Sequence, residues 1–452
     1  MNSPTASSPT SSLAAITGDR WNARVWGTLV VLCGVILLDG LDVSMVGVAL
    51  PSIRSDLHLS TSSLQWVVSG YVLGYGGLLL LGGRAADLLG RRRVFLAALA
   101  AFTVASLLGG LTSDGTLLVV TRFLKGASAA FTAPAGLSII TTSFAEGPAR
   151  NRALSIYTAC GASGFSLGLV LGGVLTEIGW RWTFFLPVPI ALAILFAARR
   201  LIPHDTAPES RRGGYDLAGA VTITASMLLL VATVVEAPTV GWGAVRTLAS
   251  FVGVAALLTA FFQIERRSAH PLIRLGILRA AALARANVVA MAVFGGYVGF
   301  QFIGTLYLQS VNGWSALETA LAFLPAGVLV AVGAPRIGPA VERFGTGRVI
   351  ATGMAAFVVG YALFLRIGAV PSYGALLLPT VLLIGIGFAL SFPSLNIQAT
   401  AGVADHEQGL ASGLVNTSFQ VGGAVVLAVV SAVIGNGAVG HSPAAAVAAF
   451  RP

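Results

Sequence analysis

The chain has 452 residues, of which 56% are hydrophobic and only 10% charged, and its mean hydropathy is +0.87. Soluble proteins carry roughly 25% charged residues, so the composition excludes a soluble enzyme and a disordered protein. A transmembrane β-barrel would show segments of ~10 residues that alternate between polar and apolar, whereas the apolar residues here form long runs. The composition therefore predicts an all-α polytopic membrane protein.

The basic residues and the cysteines exclude further classes. Lys125 is the only lysine and is followed by Gly126, so the chain has no P-loop for a nucleotide. The net charge of +10 fits arginines in cytoplasmic loops, and no nucleic-acid partner is expected. Cys33 and Cys160 lie in apolar runs and the five histidines are scattered, so no disulfide framework or metal site is predicted. The preference for arginine, with abundant Ala and Gly, is typical of a GC-rich bacterial genome.

Thirteen apolar runs are long enough to cross a bilayer, which needs about 20 residues. The predicted spans are 24–51, 64–83, 93–112, 115–143, 152–175, 184–202, 217–236, 247–264, 285–309, 318–335, 347–367, 373–398 and 408–435. The first run is too long for a signal peptide and lacks a small-residue cleavage site. The polar residues before it, 1–23, are predicted to form a disordered cytoplasmic tail.

The orientation follows from the basic residues in alternate loops. Of the 27 basic residues, twenty fall on the side that holds the N-terminus, five fall on the other side, and two lie inside a span. Cytoplasmic loops carry the excess of Lys and Arg. We therefore predict a multi-pass protein of a bacterial inner membrane with a cytoplasmic N-terminus.

A repeat divides the chain into two halves. Residues 83–93 follow the second span and residues 338–348 follow the tenth; both read glycine, three residues, an acid, two residues, glycine and then arginine. Both segments are predicted to be short cytoplasmic loops. Two homologous six-helix halves with two extra helices between them account for this repeat. The predicted parts are an N-terminal bundle, a linker with two helices, a C-terminal bundle and a short tail, at 24–203, 204–283, 284–435 and 436–452.

From about residue 25 to 435 the chain resembles the 14-helix drug:proton antiporters of the major facilitator superfamily. The matching motifs are Leu41–Pro51 with Gly47 in place of Asn, residues 83–93, Arg122-Phe-Leu-Lys125-Gly126 with Lys125 in place of Gln, and Gly164-x3-Gly168-x3-Gly172-Gly173. The resemblance implies a major facilitator fold, transport driven by the proton gradient without a cofactor, and a monomer. The family's last helix has no equivalent after Gly435, so the chain is expected to be naturally short or truncated.

Two acids and two bases are predicted to lie inside spans, where a charge costs at least ~2.5–3.5 kcal/mol. Asp39 and Asp42 share a face of helix 1, and Arg122 and Lys125 share a face of helix 4. By the resemblance, Arg122 bears on proton transfer. We expect Asp39, Asp42 and Arg122 to form the proton-coupling site, with Asp42 the more important acid because the family motif aligns on it. The alternatives are a structural hydrogen-bonding role for the acids and a structural ion pair for Arg122.

The repeated segments are predicted to form a cytoplasmic gate. Its glycines allow close backbone approach, and Asp87 could receive the N-terminus of a helix near residues 407–413. The gate residues are predicted to be Gly83, Asp87, Gly90, Arg91, Arg92, Glu342 and Arg343. The alternative is a plain positive-inside loop.

Two further groups of residues are candidates for helix packing and for substrate contacts. The glycines of the antiporter motif, Gly164, Gly168, Gly172 and Gly173, form a small-residue stripe for close packing of helices. By the resemblance this stripe is associated with antiport, and a generic packing stripe is the alternative. Polar and aromatic side chains inside spans could line a substrate cavity, or belong to the core; they include Tyr71, Tyr157, Tyr297, Gln301, Asn416 and Gln420.

The function expected from these observations is secondary active transport. The chain would export amphipathic organic compounds, such as drugs, antibiotics or secondary metabolites, in exchange for protons and by alternating access. The alternatives are a proton-coupled symporter or narrow metabolite exporter, and a non-transporting sensor or inactive truncated relative. Facilitator folds host many cargoes, so the sequence does not identify the substrate.

The topology can be tested with a cysteine introduced at Ser210, which lies in the loop predicted to be cytoplasmic. In intact cells this cysteine should resist a membrane-impermeant thiol reagent, because the bilayer separates the two. A cysteine at Ser113, in a loop predicted to be external, is the matched control and should react. Rapid labelling at position 210 would overturn the predicted topology.

Overall fold

The computed structural model describes residues 21–144, 148–203, 217–268, 280–333, 336–368, 372–401, 403 and 408–437. Within these ranges the chain forms α-helices and two short π-helical turns, and no β-strand. The all-α fold class is therefore confirmed. Most of the predicted N-terminal tail, the loops around 204–216 and 269–279, and the tail after residue 437 lie outside the described residues.

Seven helices form the N-terminal half. They are α1 (Ala23–Asp56), α2 (Thr61–Leu89), α3 (Arg91–Leu111), α4 (Gly115–Ser143), α5 (Pro148–Ile178), α6 (Trp182–Phe185) and α7 (Pro187–Leu201). The predicted span 184–202 begins in the short α6 and continues as α7, which has Pro187 in its first turn. Proline is accepted there because the first amide groups of a helix have no partner within the helix.

Two helices follow the N-terminal half, and six form the C-terminal half. The linker pair is α8 (Leu217–Val240) and α9 (Val245–Arg267). The C-terminal half consists of α10 (Ala281–Thr305), α11 (Ala316–Gly333), α12 (Ile337–Phe344), α13 (Thr346–Phe364), α14 (Leu378–Thr400) and α15 (Gln408–Gly437). The π-helical turn Leu306–Val311 extends α10, and the turn Tyr373–Leu377 leads into α14.

The helices are long enough for a polytopic membrane protein. Among the described residues, eleven helical stretches have the length and apolar composition of membrane spans. The other two predicted spans fall in α2 and α5, which have 29 and 31 residues. Each of the thirteen predicted spans thus corresponds to a helical stretch of the structure.

The two halves share one packing scheme. In the N-terminal half, α1 packs on α5, and α4 packs on both α2 and α3; in the C-terminal half, α10 packs on α15, and α14 packs on both α11 and α13. The halves meet along two seams, α2 against α15 and α5 against α11. By this packing scheme α11 is the counterpart of α2 and α15 is the counterpart of α5, so the two seams are equivalent. The linker helix α8 packs on α2 and on α15, so it bridges the first seam.

The repeated segments have the same backbone at one glycine. Gly90 has φ 95° and ψ 133°, and Gly345 has φ 82° and ψ 148°. Only glycine adopts this conformation readily. Each glycine directly precedes the next helix, α3 or α13.

The prediction that the repeated segments are loops is wrong over most of their length. Helix α2 continues to Leu89, and the residues from Ile337 to Phe344 form α12. No proline or glycine interrupts residues 84–89, and alanine and leucine there favour a helix. Each helix ends where the repeat places its second glycine.

The glycine stripe of α5 packs against the backbone of α1. A Cβ atom on Gly164, Gly168 or Gly172 would collide with backbone atoms of Leu37, Leu41 or Met45, which are also four residues apart. The next glycine, Gly173, instead faces α11, where a Cβ atom would lie 2.9 Å from the Cα of Leu317. Three glycines therefore allow α5 to pack closely on α1 within the N-terminal half, and the fourth allows α5 to pack closely on α11 of the other half.

We predict that Gly168→Ala destabilises the protein, because its new methyl group would collide with the Ser44 Oγ and lie 2.7 Å from the Leu41 carbonyl. Overpacking of this kind costs about 1–3 kcal/mol. Gly243→Ala is the matched control, since no heavy atom lies within 4 Å of its Cβ position. Thermal unfolding of the purified variants should show a lower midpoint for Gly168→Ala only.

Candidate functional site

The four charged residues predicted to lie inside spans meet in the N-terminal half. The Asp42 carboxylate of α1 forms ion pairs with the Arg122 guanidinium and the Lys125 ammonium of α4, one on each oxygen. All three side chains are buried, with exposures of 0% for Asp42, 2% for Arg122 and 0% for Lys125. The cluster brings together residues that lie 80 and 83 positions apart in the chain.

Tyr71 of α2 connects this cluster to the second acid. Its hydroxyl donates a hydrogen bond of 2.7 Å to Asp39 Oδ1. The centre of its ring lies 4.8 Å from the Arg122 guanidinium carbon, a distance typical of cation–π contacts. Tyr71 therefore contacts Asp39 through its hydroxyl and Arg122 through its ring, and it belongs to the charged cluster.

The cations of the cluster have additional contacts. Arg122 Nε donates a 3.0 Å hydrogen bond to the Val67 carbonyl, which fixes the guanidinium between α1 and α2. Lys125 Nζ lies 4.8 Å from the ring centre of Phe102 and 4.9 Å from that of Phe184. These contacts hold the charged groups in a fixed arrangement away from water.

Small residues allow the helices to approach closely enough to build this cluster. A Cβ atom on Gly126, next to Lys125, would collide with the Tyr71 carbonyl, so α2 and α4 touch at their backbones here. Gly74 approaches the Phe123 carbonyl in the same way one turn further along. Such packing is typical of helices in membranes.

The predicted gate residues that the structure describes contact their own half or solvent. Arg91 Nη1 donates to the Ser138 carbonyl of α4 at 3.5 Å, and Arg92 Nη2 donates to the Arg199 carbonyl in the last turn of α7. The Arg92 contact places a cation at the negative end of a helix. Glu342 and Arg343 lie exposed on α12. The backbone at Gly83 is helical, the Asp87 side chain and residues 404–407 lie outside the described part of the structure, and the gate stays a prediction.

The predicted substrate contacts occupy different environments. Tyr157 is half-buried beside Gly136, and Gln420 packs against Gly76 across the seam between α2 and α15. Asn416 is half-buried on α15. Gln301 of α10 lies against Gly47 of α1, 3.0 Å from where a Cβ atom would be, and its Nε2 is buried without a hydrogen-bond acceptor. These side chains lie at or near the contacts between helices, but the structure brings only Tyr71 into the charged cluster.

An aromatic cluster faces the seams from the C-terminal half. Tyr297 of α10 lies 4.5 Å from Phe388 of α14 and 5.7 Å from Phe165 of the opposite half, between ring centres. Phe392 continues the cluster, 5.1 Å from Phe388 and 4.7 Å from Phe419 of α15. Of these residues, the sequence predicted only Tyr297 as a candidate substrate contact. The four-residue spacing of Phe388 and Phe392 on α14 is the signal that could have indicated the others.

No metal centre is formed by the residues that the structure describes, since they contain no group of three or more His, Cys, Asp or Glu side chains that could hold an ion. The two cysteines are free. The charged cluster offers ion pairs and carboxylates that can bind a proton.

The chain is similar to known proteins in both sequence and structure. A sequence profile described as the Major Facilitator Superfamily matches residues 32–427. The "Cephamycin export protein CmcT" of Amycolatopsis lactamdurans is 40% identical over 92% of this chain and 86% of its own length. The "Puromycin resistance protein pur8" of Streptomyces alboniger is 37% identical over 91% of this chain and 82% of its own length. The crystal structure of the nucleoside transporter NupG superposes with a TM-score of 0.64 at 11% identity, covering 95% of both chains.

The ion pairs of Asp42 predict a large difference in thermal stability between two variants. Asp42→Asn leaves Arg122 and Lys125 as buried cations without their acid, which costs about 3–5 kcal/mol. Asp42→Asn combined with Lys125→Gln removes one acid and one base, so it should unfold at a higher temperature than Asp42→Asn alone. Thermal unfolding of both purified variants measures this order, and the reverse order would contradict the ion-pair arrangement.

Proposed function

Because the chain belongs to the major facilitator superfamily, we propose that it exports amphipathic organic compounds in exchange for protons. The observation that carries this proposal is the cluster of two acids and two bases, three of them fully buried, in a membrane-spanning half. Charges in such a position are expensive, and they mark proton or substrate pathways in transporters. The export and resistance proteins named above, which are similar over most of their lengths, supply the expected substrate class.

Alternating access requires two bodies that move against each other. The two halves have matching helix arrangements and meet along α2–α15 and α5–α11. Close packing by Gly173 at the second seam would let the halves rock with little change within each half. The driving force would be the proton gradient, and no cofactor would be required.

The compound would bind between the halves. The aromatic cluster around Tyr297 and Phe388 offers apolar ring faces, and Gln301 offers an amide donor without an acceptor. Apolar walls with a few polar groups are typical of sites for organic molecules. The protein would act as a monomer in a bacterial inner membrane, with the N-terminus in the cytoplasm.

A narrow specificity is the second candidate. The names of the two relatives described above each refer to one antibiotic, cephamycin or puromycin. A chain of the same architecture would then export one compound class, with the same proton coupling. The range of compounds exported separates the two candidates.

The export function can be tested in a bacterial strain that lacks its own efflux pumps. Cells that express the chain should accumulate less puromycin than cells with an empty vector, and an uncoupler should abolish the difference because it collapses the proton gradient. The same cells are loaded with cephamycin and with a panel of fluorescent dyes, so that broad and narrow export are distinguished. The control is the double variant Asp39→Asn/Asp42→Asn, and expression of each variant is checked in membranes.

Equal accumulation of every compound in expressing and control cells would overturn the proposed export. Export that survives the uncoupler would overturn the proton coupling alone.

A further inference from the structure

The two acids of α1 have different surroundings. Asp42 is completely buried and each of its oxygens contacts a cation. Asp39 is only partly buried, and its Oδ1 accepts a 2.7 Å hydrogen bond from the neutral hydroxyl of Tyr71. Among the ion pairs of the described residues, none involves Asp39. The acids therefore differ in how their negative charge is stabilised.

The contacts of Asp42 favour a permanent negative charge. Two cations offset the penalty of removing its carboxylate from water. A proton on Asp42 would leave Arg122 and Lys125 without a counter-charge in the same buried position, which is a costly state. Asp42 is therefore poorly suited to accept and release a proton during each cycle.

The contacts of Asp39 favour exchange of a proton. One hydroxyl stabilises its charged form, and a hydroxyl can serve a neutral carboxyl group equally well because it both donates and accepts hydrogen bonds. Asp39 also lines a small cavity together with Thr132, Phe102 and Leu99. A group that exchanges a proton requires a small difference in free energy between its two protonation states, and these contacts favour such a difference.

Within the described part of the chain, the ionisable groups found to act on Asp39 come from its own half. Tyr71 of α2 donates a hydrogen bond to it. Tyr75 on the same helix, Arg122 and Lys125 on α4 and Tyr157 on α5 interact with it electrostatically. Asp42, on its own helix, contributes a like charge. Tyr71 is the group that contacts both Asp39 and Arg122, so a change of charge at Asp39 reaches the Asp42 ion pairs through one side chain.

We propose that Asp39, and not Asp42, is the carboxyl group that carries the transported proton. Asp42 stays ionised between Arg122 and Lys125. Tyr71 connects the protonation state of Asp39 to Arg122. The inference rests on the proposed proton-coupled export and assigns its proton site. The proton is taken from external water onto a carboxylate oxygen of Asp39, which forms one O–H bond. That bond breaks when the proton passes to water on the cytoplasmic side. This assignment reverses the order of importance that the sequence motif predicts.

The first experiment detects the proton without any substrate. Infrared difference spectra of the reconstituted full-length protein, recorded between high and low pH, should contain the band of a protonated carboxylic acid. Asp39→Asn should remove this band, and Asp39→Glu should shift it. Asp42→Asn/Lys125→Gln, which removes one acid together with one base, should retain it.

Three results would overturn the assignment. They are a wild-type spectrum without a carboxylic-acid band, a band that Asp39→Asn and Asp39→Glu both leave unchanged, and a band lost in Asp42→Asn/Lys125→Gln while present in Asp39→Asn. The Asp39→Glu variant keeps the carboxyl group, so it answers the question even where Asp39→Asn does not fold.

The second experiment measures coupling with puromycin as the probe, in proteoliposomes. An imposed pH gradient should drive at least tenfold less puromycin uptake with Asp39→Asn than with the wild type, whereas exchange of puromycin at equal concentrations and equal pH should continue. Asp39→Glu should retain gradient-driven uptake. Glu236→Gln is the control for loss of a carboxylate, because Glu236 lies near the end of α8 and pairs with Arg246.

Full gradient-driven uptake by Asp39→Asn would contradict the assignment of the proton to Asp39. The two experiments also separate the two proposals. A wild-type protein that moves no puromycin in either assay argues against the proposed export of this compound, and the infrared spectra still decide which carboxyl group binds the proton.

Discussion

The penalty for an ionised side chain in a bilayer is the constraint on which this structure depends. Asp42 can be buried because Arg122 and Lys125 meet both of its oxygens. Both cations come from α4, whose backbone touches that of α2 at Gly74 and Gly126. The stripe of glycines on α5 packs against the backbone of α1, which carries the acids. The close helix packing that the glycines allow therefore also positions the charged side chains of the cluster.

The two halves share a backbone arrangement but differ in chemistry. The N-terminal half contains the acids and bases of the cluster, whereas the C-terminal half contains the rings around Phe388. Phe165 of α5 contacts Tyr297, so the group of rings extends into the N-terminal half. A protein built from a repeated unit can thus place ionisable groups in one copy and apolar rings in the other while the repeated packing is retained.

The sequence predicted the spans well because long apolar runs have few alternatives in a membrane. It also predicted the shared faces of Asp39 with Asp42 and of Arg122 with Lys125, since three-residue spacing determines neighbours on a helix. It did not predict that Tyr71 donates to Asp39, because contacts between helices depend on their rotation and relative height. The same reason explains why Gly164 and its neighbours were recognised as a packing stripe while their partner, the backbone of α1, was not.

The linker helix α8 makes the two seams mechanically different. It packs on α2 and on α15 through Val231 and Val235, so it is attached to both sides of one seam. When the halves rock, α8 must follow one of them and slide along the other, or bend. The seam between α5 and α11 contains Gly173 and the small side chain of Ala320, and helices can roll there with short movements. We therefore expect the pivot of the motion to lie closer to the α2–α15 seam, which α8 bridges, than to the α5–α11 seam.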